Sequence, residues 1–256
     1  MFVARKLLDL LPGLAFIAAV ILGLQQLSEA GLINRALFPP PSVIGSTVLD
    51  LLRNGDVAGP LGDTVVLFLA GFLLASLVAA VLGIAMGVSP RVNDLLNPLV
   101  EAIRPLPKAA LVPVLILFLG LGAPMKITAV ALAALFPVLI NTVQGVRGVD
   151  PVLVATGRTF GRSRLAITLG IVVPASVPFI LAGMRVALGL ALLMTILSEM
   201  LAGTGGLGAL VLENQRAFRI RQMYAWLVIL AVLGLAINGA MLLAERRLAP
   251  WLEKFR

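Results

Sequence analysis

The sequence predicts an all-α membrane protein with six transmembrane helices. Three observations carry that prediction. Sixty per cent of the 256 residues are hydrophobic and only 12% are charged, about half the charged share of an ordinary soluble domain. The mean hydropathy of +1.08 means more apolar surface than a water-soluble chain of 26.8 kDa can hide. The apolar residues also gather into six stretches of about 20 residues, the length that crosses a hydrocarbon core. A soluble globule, a disordered chain and a fibre are excluded together.

The first stretch, 7–27, follows Arg5 and Lys6. A basic start before an apolar run also marks a secretion signal. This run is longer than such signals carry, and no small-residue cleavage site follows, so a retained helix is expected. Pro39-Pro40-Pro41-Ser42 then opens an amphipathic stretch, 43–52, closed by Asn54-Gly55. Proline at its start and that ending predict a helix lying along the interface. The second span is 64–88. The third, 95–119, is interrupted by Arg104, Pro105, Pro107 and Lys108, where two prolines predict a kink or a break. The fourth span is 125–146. A polar loop follows at 150–170, with Arg158, Arg162 and Arg164. Pro151 suits the first turn of a short helix, Gly161 suits its end, and a second helix is expected to run on to Val173-Pro174. The fifth and sixth spans are 177–201 and 224–244. The tail from Glu245 holds Arg246, Arg247, Lys254 and Arg256. Three parts result: an N-terminal helix with its interfacial segment (1–57), a core (58–244) and a basic tail (245–256).

The net charge is +8 and the isoelectric point near 11.2. No basic helix or aromatic stacking motif accompanies that charge, so no nucleic-acid partner is expected. Lysine and arginine belong instead to loops beside the anionic cytoplasmic leaflet. With both termini cytoplasmic, the inside holds Arg5, Lys6, Arg91, Arg147, Arg158, Arg162, Arg164 and the four tail residues. The outside holds Arg35, Arg53, Lys126, Arg216, Arg219 and Arg221. That bias sets the expected orientation. No internal repeat supports an inverted-repeat transporter.

Cysteine and histidine are both absent. Disulfides, zinc sites and Ser-His-Asp or Cys-His catalysis are therefore excluded. No phosphate-binding G-x-x-x-x-G-K-[ST] motif occurs. Gly203-Thr204-Gly205-Gly206-Leu207-Gly208 satisfies G-x-G-x-x-G, yet a span precedes it rather than a strand. It reads as a tight turn at the outer mouth, with Gly205 and Gly206 candidates for an external gate.

Charges inside spans are costly and so mark candidate sites: Arg104, Lys108, Arg185 and Glu199. A Lys108 facing a pathway would favour an anion; pairing with Glu101 or reaching headgroups is the alternative. Arg104 and Arg185 lie near the cytoplasmic ends of their spans, where snorkelling or helix pairing competes with a pathway role. Glu199 either latches the outer turn with a basic residue or caps an interface. Asn141, Thr142, Gln144, Thr195 and Ser198 either line a route or hydrogen-bond between helices.

The 150–170 loop also carries a family pattern. Ala155-Thr156-Gly157, then Gly161, then Ile171-Val172-Val173-Pro174 resembles the cytoplasmic signature of permease subunits of bacterial type I ATP-binding-cassette importers. In that signature a Glu-Ala-Ala segment precedes the glycine and an apolar-Pro pair closes it. Thr159, Phe160 and Ser163 suit the pattern. Ala155 and Thr156 depart from it, since the family has Glu and Ala there. Leu37-Phe38-Pro39-Pro40-Pro41-Ser42, Arg104-Pro105-Leu106-Pro107, Phe136-Pro137-Val138-Leu139-Ile140-Asn141-Thr142, Gly183-Met184-Arg185 and Ser198-Glu199-Met200-Leu201 resemble the sulfonate, taurine, nitrate and thiamine-precursor branch. The resemblance covers about 37–250 and implies a division of labour. Two copies of the chain form a pathway in the bacterial inner membrane. Two ATPase subunits, which hold the ATP and magnesium, dock on the coupling loop formed by Ala155, Thr156, Gly157, Arg158, Thr159, Phe160, Gly161, Arg162, Ser163 and Pro174. A solute-binding protein delivers a small anion or zwitterion from outside. This chain itself is expected to bind no cofactor. A secondary transporter or channel without an ATPase is the competing reading; a membrane-embedded enzyme has few groups to work with.

Overall fold

The computed structural model describes residues 2–248, and their side chains except those of 2–11, Leu14 and Leu248. Every regular element in that range is helical: α1 (Phe2–Glu29), α2 (Pro41–Arg53), α3 (Ala58–Val88), α4 (Pro90–Ile103), α5 (Val112–Leu119), α6 (Ala123–Arg147), α7 (Pro151–Thr159), α8 (Arg164–Ile167), α9 (Val173–Ala202), α10 (Leu207–Arg216) and α11 (Ile220–Leu248). A 3-10 turn at Lys108–Leu111 leads into α5, and a π turn at Thr168–Val172 joins α8 to α9.

Four helices are long and apolar enough to cross a bilayer: α3, α6, Arg164–Ala202 and α11. The pair formed by α4 and Lys108–Leu119, which meet at 86°, is apolar enough together to make a fifth when counted as one broken span; a re-entrant loop has the same geometry. The 28-residue α1 is the remaining candidate. Its described apolar part, Ala15–Glu29, is shorter than a span, and the rest of the predicted 7–27 stretch lies outside the residues whose side chains are described. The expected six spans are compatible with this architecture.

Two spans differ from their prediction. The third is no single kinked rod but two helices at nearly a right angle. Pro105 and Pro107 cannot donate backbone hydrogen bonds, so the ladder that would join the halves cannot form. The fifth begins much earlier than expected. The helix placed before Pro174 and the span placed after it are one continuous 39-residue run. Pro174 would clash with a carbonyl four residues back in a regular helix. The π turn immediately before it shifts the hydrogen-bond register and lets the run continue.

The chain divides into two compact units. One comprises the residues up to Gly59 together with Leu210–Ala231. In it, Gln25 is tied to the start of α2: its Nε2 donates to Ser42 Oγ at 2.9 Å and its Oε1 accepts from the Ser42 amide at 3.1 Å. Phe38 meets Tyr224 edge to face at 5.2 Å. The other unit comprises Pro60–Ala209 and the chain from Val232. Its core is Phe68, Phe72, Val130, Val138, Leu188 and Met194 with their neighbours on α3, α6 and α9.

Close approach in that core needs small residues. Gly71, Ala75, Ala79, Gly83 and Gly87 recur every fourth position along α3 and so lie on one face. A Cβ on Gly71 would stand 2.6 Å from Val130 Cβ, and one on Gly83 2.6 Å from Thr142 Cβ. On α9, a Cβ on Gly183 would stand 2.8 Å from Asn141 Cβ. In lipid such contacts replace the hydrophobic effect as the force between helices.

Candidate functional site

Three polar places interrupt the second unit. The first is the break in the third span. A cavity of about 510 Å³ lies there, walled by Arg104, Leu106, Lys108 and Ala109 from the break, by α6 from Ala133 to Asn141, and by Val186, Leu190, Leu193 and Met194 of α9. No carboxylate lines it. The size is ordinary for a small-molecule site. Lys108 Nζ donates to the carbonyls of Ile103, Arg104 and Leu106, each at 2.8 Å. The same ammonium lies 4.6 Å from the centre of the Phe136 ring. Lys108 thus lines the cavity and does not pair with Glu101. Carbonyls at and just beyond the C-terminal end of α4 hold it instead. Asn141 Nδ2 donates to the Pro137 carbonyl at 2.8 Å.

Of the predicted pathway residues, only Arg104, Lys108 and Asn141 meet at this cavity. Thr142, Thr195 and Ser198 are fully buried, and each hydroxyl donates to a carbonyl of its own helix at 2.7–2.9 Å. They pack helices together. Arg185 is spent elsewhere: its guanidinium grips the Glu245 carboxylate on α11 through two bonds, with Nε to Oε1 at 2.9 Å.

The second polar place is the turn between α9 and α10. Gly203, Gly205 and Gly206 all have positive φ, +65°, +62° and +89°. Polar groups from three helices and one loop stitch the turn in place. Thr64 Oγ1 on α3 accepts from the Leu207 amide at 2.9 Å. Lys126 Nζ on α6 donates to the Thr204 carbonyl. Thr204 Oγ1 donates to the Leu121 carbonyl at 3.2 Å, and Glu199 Oε2 on α9 accepts from the Gly208 amide at 2.8 Å. Glu199 is wholly buried and its Oε1 has no hydrogen-bond partner among the described residues. A Cβ on Gly206 would fall on the Glu199 carboxylate. Gly205 and Gly206 are therefore glycines for two reasons, φ and space. Lys126 was counted with the outside cations at the start of the fourth span, yet it is only 4% exposed. Sequence reasoning missed it; the available signal was a lone cation two residues after Pro124 in the first turn of an apolar helix.

The third place is the α7 segment. Asp150 caps α7 by accepting from the Val152 amide at 2.8 Å, with Pro151 in the first turn. Gly161, at φ +70°, ends it: the Gly161 amide bonds the Arg158 carbonyl at 2.9 Å and the Arg162 amide bonds the Gly157 carbonyl at 3.1 Å. Ser163 Oγ then caps α8 through the Ala166 amide at 3.2 Å. Gly157 is buried because a Cβ there would stand 3.0–3.1 Å from Ile171 and Ile167. Ala155, Thr156, Arg158, Thr159, Phe160, Gly161, Arg162 and Ser163 are exposed, and so is Pro174. Val152, Leu153 and Phe160 also show apolar side chains, Phe160 being 80% exposed. A helix clamped to the span through Gly157 and bare on its far side is built to be touched.

The model of the family described as "Binding-protein-dependent transport system inner membrane component" matches residues 71–253. The chain is 30% identical over 251 residues to the putative aliphatic sulfonates transport permease protein SsuC of Bacillus subtilis (strain 168), covering 98% of this chain and 91% of that protein. It is 32% identical over 237 residues to the putative aliphatic sulfonates transport permease protein SsuC of Escherichia coli (strain K12), covering 92% and 90%. Its fold is similar to that in the crystal structure of an amino acid ABC transporter with histidines, with a TM-score of 0.62 at 16% identity over 78% of this chain and 97% of the other.

Proposed function

This chain belongs to the binding-protein-dependent transport system inner membrane components, and on that premise we propose how its three polar places work. Membership makes it the translocation subunit of an ATP-driven importer, a multi-pass membrane protein whose ATPase and solute-binding protein are separate chains. The proposal begins with assembly. Two copies of the chain face each other, and the second copy closes the cavity at the Arg104–Lys108 break. Two ATPases, carrying the ATP and magnesium, dock on α7, and both termini lie on their side of the membrane.

The observation that carries this reading is the α7 segment. It is rigid where it meets the long span, through Gly157 against Ile167 and Ile171, and exposed on its far face. Movement of a docked ATPase is then passed to Arg164–Ala202 through the packing of Gly157 on Ile167 and Ile171, and the two copies rock between inward and outward states. Ala155 and Thr156, which replace the usual Glu and Ala, leave this shape intact.

The cargo we propose is a small anion or zwitterion such as a sulfonate, a taurine-like molecule, nitrate or a carboxylate. The cationic, carboxylate-free cavity and the sulfonate permeases among the relatives both support it. The test is ATPase activity in lipid nanodiscs, with the chain co-expressed with the ATPase encoded beside it and a panel of loaded binding proteins added. Stimulation by one loaded binding protein is expected. Transport by the chain alone, with no complex formed, sinks the reading in favour of a secondary transporter.

A further inference from the structure

Two cations stand in the wall of the cavity at the break, and their surroundings divide their work. The Lys108 ammonium has three protons to donate. All three go to carbonyls of the break, those of Ile103, Arg104 and Leu106, at 2.8 Å each, and the Phe136 ring covers it from one side. The first two lie at the negative end of α4. Lys108 is therefore a brace that closes the end of a broken helix, with no donor left for a passing solute.

Arg104 differs in each respect. It caps the same helix through its backbone, and its side chain is exposed. No acceptor among the described residues takes a hydrogen bond or an ion pair from its guanidinium. The nearest acid along the chain, Glu101, is not part of the cavity wall. A planar fork of five donors fits a carboxylate or sulfonate with two parallel bonds. Beside it stand the Asn141 amide, which spends one donor on the Pro137 carbonyl, and the apolar side chains of Phe136, Val186 and Leu190.

We infer that Arg104 is the residue at this cavity that selects cargo by charge, with Lys108 confined to holding the break in shape. This rests on the importer reading with an anionic cargo given above. A pair formed at an exposed guanidinium is weak. Weakness suits a transit site, which must release what it binds.

The chain has no cysteine, so R104C carries a single thiol and reports on charge directly. The complete transporter, with its ATPase and binding protein, is reconstituted in proteoliposomes and supplied with radiolabelled ethanesulfonate. R104C is expected to lower uptake about fivefold, the upper end for losing an exposed ion pair. Reaction with an aminoethyl methanethiosulfonate, which restores a cation, should recover uptake; the sulfonatoethyl reagent should not. R104K should keep most uptake, and R104Q should melt in detergent within a few degrees of the unaltered protein while K108M melts well below it. Full uptake by R104C overturns the inference. So does equal rescue by both reagents, which would mark a steric role. If R104C misfolds, the R104K and R104Q pair decides the same question. An unaltered transporter that couples ATP hydrolysis to a neutral or cationic solute and moves no ethanesulfonate overturns the anionic cargo, and this inference with it, while leaving the α7 reading in place.

Discussion

Gly161 and Gly206 are the two residues whose backbone decides most. At φ +70°, Gly161 lets α7 stop and the chain turn into the long span. Any L-residue there pays about 1–2 kcal/mol in the left-handed region. Gly161→Leu should leave membrane insertion unchanged yet lower the ratio of solute moved to ATP hydrolysed. Normal transport with normal ATPase stimulation would refute the helix–Gly–helix account. Gly206 combines φ +89° with the Glu199 carboxylate in the place of a side chain. Glu199 and Lys126 are both buried beside the turn, where Glu199 accepts from the Gly208 amide and Lys126 donates to the Thr204 carbonyl. Removing the Lys126 donor leaves that carbonyl short of a partner, at a cost of about 1–3 kcal/mol. Lys126→Met should therefore lower the melting temperature by several degrees; an unchanged melting temperature contradicts the stitching account of the turn. The glycines and Glu199 were visible in the sequence because each breaks a local rule for a span. Lys126 was not, since burial of a residue beside a loop is set by tertiary contacts.

At the scale of elements, pattern and packing were unequally legible. Length and apolarity located α3, α6 and the sixth span within a few residues. The start of the fifth was misplaced because Pro174 looks like a stop, and nothing local announces the π turn that absorbs it. The break in the third span was foreseen as a kink, but its 86° depends on what Lys108 finds there. The small-residue face of α3 makes a sharper prediction. Gly83→Leu pushes a bulky side chain onto Thr142, where even a Cβ stands at 2.6 Å. Overpacking of this kind costs about 1–3 kcal/mol or more. It should separate α3 from α6 and reduce the folded fraction seen by size exclusion in mild detergent. Gly59→Leu, where nothing lies within 4 Å of a Cβ, should have no such effect.

At the scale of the whole molecule, large apolar side chains such as Leu117, Phe118, Leu193 and Leu235 stand exposed. In water they would drive aggregation; here lipid and other chains are the solvent. Val152, Leu153 and Phe160 at α7 belong to a different audience, since they share their surface with Arg158 and Arg162. Val152→Asp together with Phe160→Ser should abolish co-purification of the ATPase while membrane levels stay normal. Co-purification at full yield would remove α7 as the docking element. Family membership was legible from the order and spacing of many weak matches rather than from any one motif. The cavity was not, because Arg104, Asn141 and Leu190 come together only once three helices have packed.

The bent third span also bears on how the chain is made. Its halves, α4 with 14 residues and α5 with eight, each fall short of the roughly 20 apolar residues that partition into a bilayer unaided. Neither half can be threaded into lipid as an independent unit during synthesis. The two halves are apolar enough only together, and α5 packs on α6, so the same prolines that open the cavity make this segment depend on its neighbours for a place in lipid.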